Sequence, residues 1–300
     1  MQQKPLFSVI IPTYNRPEQL ANCLESLTHL DYPRQDFEVI VVNDGGNTPL
    51  KLITTRFSSI NLTVIEQANA GPAAARNTGA KGARGRYLAF TDDDCTLASD
   101  WLKTLAARFA VSPNCMIGGQ TFNALWQNLY ATTSQLLVDY LYSFHQTSLP
   151  QLHFFTSNNM SLPAELFHTL GGFDTTFRLA AGEDRELCDR WLHHGYQMIY
   201  APEVQIYHAH HLTLSSFWRQ HFNYGQGAFY FYSSRSSRTN EEIKVNAFKF
   251  FLDMLTYPFT QNVQKFNRPV ILVTVLLIVS QIAAMTGLAR ENFSRVMNFE

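Results

Sequence analysis

The sequence has few cysteines and no surplus of charge of either sign. Its four cysteines, Cys23, Cys95, Cys115 and Cys188, are widely spaced and form no C-x-x-C pair. This spacing excludes a zinc ribbon or a dense disulfide scaffold and favours a reducing compartment. With 23 basic against 24 acidic residues the formal charge is -1, so the composition gives no sign of nucleic-acid binding. Any recognition of phosphate must therefore be local.

Repeats, low-complexity linkers and an N-terminal secretory signal are also missing from the sequence. The 300 residues, of which 46% are hydrophobic, are enough for one large domain or two. We expect a catalytic domain over residues 1–232 and a helical, membrane-associated region over residues 233–300.

The C-terminal region contains one long apolar run. Residues 269–288 include no charged side chain, and as a helix they would cover about 30 Å, the thickness of a bilayer core. We predict a transmembrane helix here; the alternative is a buried helix of a soluble domain, which Ser280 and Gln281 would suit. Residues 243–259 have the spacing of an interfacial helix or of an ordinary amphipathic one. The basic residues before the run weakly favour a cytoplasmic catalytic domain.

Strand-like and helix-like segments alternate through the first hundred residues. Apolar runs over 7–12, 37–43, 62–65 and 86–91 predict buried strands, and helical patterns lie between them. This alternation predicts an α/β fold with a mostly parallel sheet covered by helices on both faces. Residues 198–200 indicate a further short strand, while residues 121–151 are rich in aromatics and give no clear assignment.

Three aspartates, Asp92, Asp93 and Asp94, follow directly on the strand that ends near Thr91. Ligands of open α/β sheets gather at the carboxyl ends of the strands, and hard divalent cations prefer oxygen ligands and bridge to phosphates. The run therefore suits a metal-phosphate site, although aspartate is also common in turns and helix caps.

Five segments occur in an order that resembles the family 2 glycosyltransferases of the GT-A fold. They are Ser8–Arg16 (SVIIPTYNR), Val41–Gly45 (VVNDG), Gly71–Asn77 (GPAAARN), Phe90–Asp94 (FTDDD) and Gly182–Leu187 (GEDREL). The resemblance covers about residues 6–230. It implies a GT-A, Rossmann-like sheet and an inverting, metal-dependent transfer of a sugar from a nucleotide diphosphate, of the kind used in polysaccharide and cell-envelope biosynthesis.

The resemblance assigns a nucleotide site to residues at the strand ends. Asp44 would accept hydrogen bonds from the uracil of a UDP-sugar, which its place beside two glycines allows. Asp44 alone would equally suit a turn, and Arg76 a solvated helix surface. The implied nucleotide-binding set is Thr13, Asn15, Asp44, Arg76, Asp92 and, less firmly, Asp93.

The same resemblance implies a cation, Mg²⁺ or Mn²⁺, held by Asp94. His208 lies where some family members supply another ligand, although a histidine with no metal role fits the sequence as well. A cation at this place would stabilise the charge that develops on a diphosphate leaving group.

Asp184 matches the catalytic base of the family, in an E-D pair that follows the turn Gly171–Asp174. A carboxylate that removes the proton of a sugar hydroxyl makes a single in-line displacement feasible. Glu183 and Asp184 could instead only complement a helix N-terminus. Glu183, Asn158 and Asn159 are expected beside the donor sugar or the acceptor, where the amides could also simply hold a loop.

Two other classes of function remain open to the sequence. A nucleotidyltransferase can share an acidic α/β site, but it usually carries a Gly-rich basic loop after the first strand, where this chain has Pro12–Arg16. A membrane-tethered module that binds a nucleotide sugar without turnover is the other. The segment Trp218–Gly225 lacks the Q-x-x-R-W motif of processive synthases, which favours transfer of one sugar to a glycan or lipid-linked acceptor.

Overall fold

The computed structural model describes residues 4–148, 154–239, 246–261 and 269–297, without the side chains of 146–148 and 295–297. The chain divides into two compact units. Unit 1 consists of Met1–Phe122 and Phe155–Ala209, and unit 2 of Asn123–Phe154 and His210–Glu300. The division into these units therefore differs from the domain boundary expected at residue 232, because the segments 123–154 and 210–232 belong to the same unit as the C-terminal helices. As a division of function, residues 1–232 and 233–300 stay a prediction.

The strands of the described residues form one eight-stranded sheet in the order β3-β2-β1-β4-β7-β6-β8-β5. Strands β1 to β4 pair in parallel, with Phe7 opposite both Phe37 and Tyr87. Beyond β4 the pairings of β4 with β7, β6 with β7 and β5 with β8 are antiparallel. The strands are β1 Phe7–Thr13, β2 Phe37–Asp44, β3 Leu62–Gln67, β4 Tyr87–Phe90, β5 Cys95–Leu97, β6 Met116–Asn123, β7 Met160–Pro163 and β8 Met198–His208.

Helices follow most of the strands and also form the bulk of unit 2. Their bounds are α1 Pro17–Thr28, α2 Lys51–Thr54, α3 Pro72–Gly82, α4 Trp101–Val111, α5 Leu129–Ser148, α6 Ala164–Thr169, α7 Glu183–His193, α8 Leu214–Arg238, α9 Ala247–Thr260 and α10 Val270–Met297.

The core of unit 1 lies on both faces of the parallel strands. Alternate residues of a strand point to opposite faces, so Val9 and Ile11 pack in the same cluster as Leu24 of α1. On the other face α3 lies so close that a Cβ added at Gly79 would be 2.5 Å from Ile10. Burial on both faces explains why β1 and β2 are continuous apolar runs.

The expected α/β fold is confirmed, with a parallel half that extends from β3 to β4. The sequence pattern did not reveal the antiparallel half. Residues 198–200, predicted as a short strand, are the start of a longer one, β8, which continues across Pro202 to His208. The unassigned residues 121–151 contain the end of β6 and helix α5.

Candidate functional site

The predicted nucleotide and metal residues lie at one edge of the sheet in unit 1. Thr13, Asp44 and Asp92 come at or just after the carboxyl ends of β1, β2 and β4, which are neighbouring parallel strands. Parallel strands end at the same edge, where open α/β sheets bind ligands. Motifs that are far apart in the sequence thus lie at the same edge of the sheet.

Asp44, the last residue of β2, is buried and accepts hydrogen bonds from the segment before α3. Its two carboxylate oxygens each accept a backbone N–H at 2.9 Å, one from Ala70 and the other from Gly71. The amide of Gln67 also donates to it at 2.7 Å. Asp44 therefore orders the loop that leads to Arg76, as expected of a turn-stabilising aspartate. The Asn69 amide donates as well, at 3.3 Å, so four donors occupy the carboxylate and a nucleobase would bind here by replacing one of them.

The loop after β1 joins the aspartate run through a threonine and an arginine. Thr13 Oγ1 donates to Oδ2 of Asp93 at 2.7 Å. Arg16 Nη1 lies 3.2 Å from Oδ1 of Asp93 and 3.0 Å from Oδ2 of Asp94. Asp93 is buried, and burial raises its pKa to about 6, with Arg16 opposing the shift. Thr13 and Asp93 thus bond to each other, so the hydroxyl of Thr13 could contact a nucleotide as an acceptor but not, while this bond lasts, as a donor.

Asn15 has a backbone conformation that is unusual for a residue other than glycine. Its φ of 54° lies in the left-handed region, which asparagine tolerates better than most residues. Its side-chain oxygen accepts the N–H of Asn47 at 2.8 Å, so it connects the loop after β1 to the loop after β2. Strained backbone of this kind is frequent at functional sites.

Asp94 and His208 come together because β5 pairs with β8. Cys95 lies opposite His208 in the antiparallel register, and Ala209 N–H donates to the Asp94 carbonyl at 2.8 Å. His208 Nε2 lies 3.1 Å from Oδ1 of Asp94. Although burial opposes the shift, the Asp94 carboxylate raises the pKa of His208.

This cluster has the donor chemistry that a divalent cation requires. One ligand atom each of Asp94, Cys95 and His208 lie within 4.8 Å of one another. Burial raises the pKa of the Cys95 thiol well above its ordinary value, so the thiol stays protonated. The available donors are therefore a carboxylate and an imidazole, which fit Mg²⁺ or Mn²⁺ when substrate oxygens complete the shell.

Arg76 is buried, with 2% of its surface exposed, and connects two acidic residues from distant segments. Its Nη2 donates to Oδ1 of Asp92 at 2.7 Å, and its Nη1 donates to Oε1 of Glu183 at 3.0 Å. It is therefore not the solvated helix residue that its position in α3 allowed. The hydrogen bonds of its guanidinium go to carboxylates of the chain itself. These bonds do not imply a direct contact with a nucleotide.

Glu183 and Asp184 form the first turn of α7, after Gly182. Glu183 is buried against Arg76, and burial together with the neighbouring Asp184 charge raises its pKa, with Arg76 opposing. Asp184 Oδ1 accepts the N–H of Arg185 at 2.8 Å. Burial also raises the pKa of Asp184. Of the two carboxylates, Glu183 serves the internal ion pair, while Asp184 is the more accessible one.

Asn158 and Asn159 lie in a short turn before β7, and both are buried. Asn159 Nδ2 donates to the carbonyls of Gln120 at 3.1 Å and Val204 at 2.9 Å, and its Oδ1 accepts from Trp101 at 3.0 Å. These bonds tie together three separate segments, as a structural residue would. Asn158 Oδ1 accepts from Thr156 at 2.8 Å. Their roles beside a sugar stay predictions, and for Asn159 such a role would require existing bonds to break.

The sequence analysis missed Arg16 as a site residue. It belongs to the first motif, but its partners lie 77 and 78 positions away in the chain. The sequence did carry one signal for it. Arg16 is the one basic residue of the loop after β1, and Asp93 and Asp94 lie in the loop after β4, the strand that pairs with β1 in parallel.

Known proteins with similar sequences are glycosyltransferases. The family model described as glycosyl transferase family 2 matches residues 8–171. A second model, described as N-terminal domain of galactosyltransferase, matches residues 143–212. Among curated proteins, glycosyltransferase AglE of Haloferax volcanii is 38% identical over 118 residues, which cover 38% of this chain and 39% of AglE. Validoxylamine A glucosyltransferase of Streptomyces hygroscopicus subsp. jinggangensis is 29% identical over 66% of this chain and 54% of the relative. The chain thus spans about two fifths to one half of these relatives.

Solved structures with the same fold extend over nearly the whole chain. The mannosyltransferase PcManGT from Pyrobaculum calidifontis, in complex with GDP-Man and Mn²⁺, has a TM-score of 0.61 and 19% identity, covering 99% of this chain and 81% of that one. TarS of S. aureus in complex with UDP-GlcNAc has a TM-score of 0.55 and 17% identity, covering 96% and 92% of the two chains. At these identities the likeness confirms the GT-A fold.

Proposed function

Because the chain belongs to glycosyl transferase family 2, we propose that it transfers one sugar from a nucleotide diphosphate to a glycan or lipid-linked acceptor. One observation carries this proposal: in unit 1 the buried guanidinium of Arg76 links the Asp92–Asp94 run to the Glu183–Asp184 pair, and Asp44 binds the loop from which the helix of Arg76 starts. A turn or a helix cap would account for one of these acidic groups, but not for their connection.

The donor is proposed to be a UDP-sugar, with its nucleotide over the ends of β1 and β2. The complexes of TarS with UDP-GlcNAc and of PcManGT with GDP-Man support a nucleotide-sugar donor in general. In this chain Asp44 would accept a hydrogen bond from the base, and Asn15 and Thr13 would border the same pocket. Arg76 would act on the nucleotide through Asp92, whose side chain it holds.

Mg²⁺ or Mn²⁺ is the proposed cofactor, and Asp94 with His208 would hold it. When bound, such a cation supplies positive charge that stabilises the departing diphosphate. The Mn²⁺ in the PcManGT complex supports this proposal. Arg16 lies on the same carboxylates and would have to share or release Asp94.

Asp184 is the proposed catalytic base of an inverting reaction. Its carboxylate would accept the proton of the acceptor hydroxyl while the hydroxyl oxygen attacks the anomeric carbon. The bond between that carbon and the diphosphate oxygen then breaks, and the nucleoside diphosphate leaves. A pKa raised by burial makes Asp184 a stronger base than an ordinary aspartate, which favours proton transfer near neutral pH. Single displacement inverts the anomeric configuration.

The proposed setting is a membrane surface with the catalytic residues on the cytoplasmic side. The support is helix α10, which over Val270–Ser294 is long and apolar enough to cross a bilayer. A lipid-linked acceptor would be reached readily from this position.

A donor screen tests the proposed function. Purified protein is incubated with UDP- and GDP-sugars, Mn²⁺ and a panel of glycan and lipid-linked acceptors, and the released nucleotide is identified. We expect release of a nucleoside diphosphate with one donor class and transfer of its sugar. Release of pyrophosphate would instead indicate a nucleotidyltransferase, and donor binding without turnover over the whole panel would indicate a binding module.

A further inference from the structure

Helix α10 of unit 2 has an apolar stripe that is exposed along its length. Ile271, Val275, Ile278, Ile282 and Met285 follow one another at spacings of three or four residues and are 43–74% exposed. This spacing places them on one side of the helix. A second apolar stripe, which includes Val273, Leu277 and Ala283, is buried. The helix therefore packs with one side, and no residue that the structure describes covers the other.

Helix α9 repeats this pattern. Phe248, Leu252 and Phe259 are exposed, while Met254 and Pro258 are buried. Met254 packs in one cluster with Leu277 of α10. Two helices that contact each other within unit 2 thus each present large apolar side chains to the surroundings, which monomeric soluble proteins rarely do over an extended area.

The packed side of α10 is held very closely against α8. A Cβ added at Gly225 of α8 would lie 1.8 Å from the carbonyl oxygen of Ala284, and one at Gly287 of α10 would lie 2.0 Å from that of Phe222. Only glycine permits this approach of two helix backbones. Beyond the glycines Gln226 and Tyr230 of α8 hydrogen-bond to Glu291 of α10. The two helices therefore run side by side as one element.

Helix α8 is poorly suited to the hydrocarbon region of a bilayer. Its sequence carries Arg219, Arg235 and Arg238 together with several serine, glutamine and asparagine residues, and Arg219 is exposed. Charged side chains at the centre of a bilayer are costly. If α10 spanned the membrane, it would either take α8 along or lose the glycine contacts. Packing in unit 2 thus favours a helix that lies along the membrane surface.

The net charge of unit 2 suits such a position. The segments of unit 2 contain nine lysines and arginines against six aspartates and glutamates, a formal charge of +3, whereas unit 1 has 14 against 18, a charge of -4. Basic residues near an anionic leaflet strengthen binding to it, and interfacial helices combine them with a buried apolar face. A second copy of the chain would bring together two units of the same sign.

We propose that unit 2 is a membrane-docking unit that lies in the plane of an anionic bilayer, with the exposed stripes of α9 and α10 inserted among the acyl chains. The occupant of the apolar surface is lipid, and α10 does not cross the bilayer. This differs from the transmembrane helix that the length of the apolar run predicts.

Vesicle flotation tests the docking surface. The full chain is mixed with vesicles of phosphatidylcholine or of phosphatidylcholine with phosphatidylglycerol, and the floating fraction is measured. We expect binding that is stronger with phosphatidylglycerol and that falls about tenfold or more in an Ile278→Glu, Ile282→Glu variant, because two apolar anchors are lost. Phe248→Glu with Phe259→Glu tests α9 in the same way. The control is Leu52→Glu with Val111→Glu, which makes the same change of charge at apolar residues of unit 1 that are even more exposed, and it should leave binding unchanged.

Labelling from one side of the membrane tests whether α10 lies flat. The four native cysteines are buried, so a cysteine introduced at Ser59 or Asn292, both exposed, can be labelled selectively with an impermeant maleimide in sealed membrane vesicles. Lying flat places both positions on the same side. Labelling of Asn292→Cys only from the side opposite to Ser59→Cys overturns the proposal, as does a chain that fails to bind either vesicle. A dimer in solution that the Ile278→Glu, Ile282→Glu variant dissociates, without any vesicle binding, would assign the surface to a second copy instead.

Discussion

Replacing Arg76 with methionine tests how the buried charges of the candidate site are held together. The guanidinium is almost fully buried and lies 2.7 Å from Asp92 and 3.0 Å from Glu183. Methionine keeps much of the side-chain length and removes the charge. Both carboxylates then lose their cation, and Glu183 is left buried without it.

The expected cost follows from the environment of these two carboxylates. Removing one partner of a buried ion pair usually destabilises a protein by about 3–5 kcal/mol. Water can solvate Asp92, whose side chain is 27% exposed, and Glu183 can take up a proton because its pKa is already raised by burial. We therefore expect a loss near the lower limit, ~3 kcal/mol.

The pH dependence of this loss has a definite sign. Arg76 lowers the pKa of Glu183, so its removal raises that pKa further. When the pKa of a carboxyl group is higher in the folded than in the unfolded state, the free energy of unfolding decreases as the pH rises from the unfolded pKa to the folded one. The Arg76→Met variant should therefore lose more stability at pH 8 than at pH 5. Adding Glu183→Gln should recover part of the loss, with a coupling of about 1–3 kcal/mol.

Urea unfolding of the single and double variants at both pH values measures these quantities. Lys103→Met is the control, since Lys103 pairs with Asp31 at an exposed position, where an ion pair contributes little to stability. An Arg76→Met variant that is as stable as the Lys103→Met variant at both pH values would show that the guanidinium does not hold these carboxylates together. So would effects of the Arg76 and Glu183 substitutions that simply add.

Three further predictions concern individual side chains. Arg16→Gln should tighten Mn²⁺ binding without donor by up to about fivefold, because a competing partly exposed cation is removed; electron paramagnetic resonance titration measures this, and weaker binding would contradict it. The value of kcat/KM should fall with decreasing pH at a pKa above the ordinary ~3.9 of aspartate, because burial raises the pKa of Asp184; a limb at or below that value would exclude Asp184 as the base. Burial lowers the pKa of His221 to about 4, so the folded state should lose up to ~3 kcal/mol as the pH falls from 6.5 to 4, and His221→Asn should flatten this loss in urea unfolding.

The sequence predicted those parts of the fold that depend on local pattern. Strands β1, β2 and β4 are buried on both faces, so their residues form continuous apolar runs, and the motifs after them fall at one sheet edge. The antiparallel half was not predictable in this way: its register brings His208 to Asp94 through β5, only three residues long. Helix α5 was missed because its polar and aromatic residues give no clean period.

Long-range partners explain what the motifs could not reveal about the site. Arg76 has a helix position that fits a solvated residue, and only the fold brings Glu183, 107 positions away, to its guanidinium. Likewise the amide of Asn159 suits sugar recognition by its chemistry, yet its bonds to Gln120, Val204 and Trp101 tie together segments of the sheet. Residue type predicted which groups belong to the site, whereas their partners required the structure.

Asp184→Asn, compared with the parent for donor binding and for turnover, tests whether Asp184 is the catalytic base of a sugar transfer. Asparagine keeps the size of the side chain and cannot accept the hydroxyl proton as a base. With the donor found by the screen, we predict that calorimetry gives a nearly unchanged Kd while kcat falls by about 10²–10⁴-fold, and that Asp100→Asn, at an exposed position, changes neither. Near-normal kcat in Asp184→Asn would contradict the account.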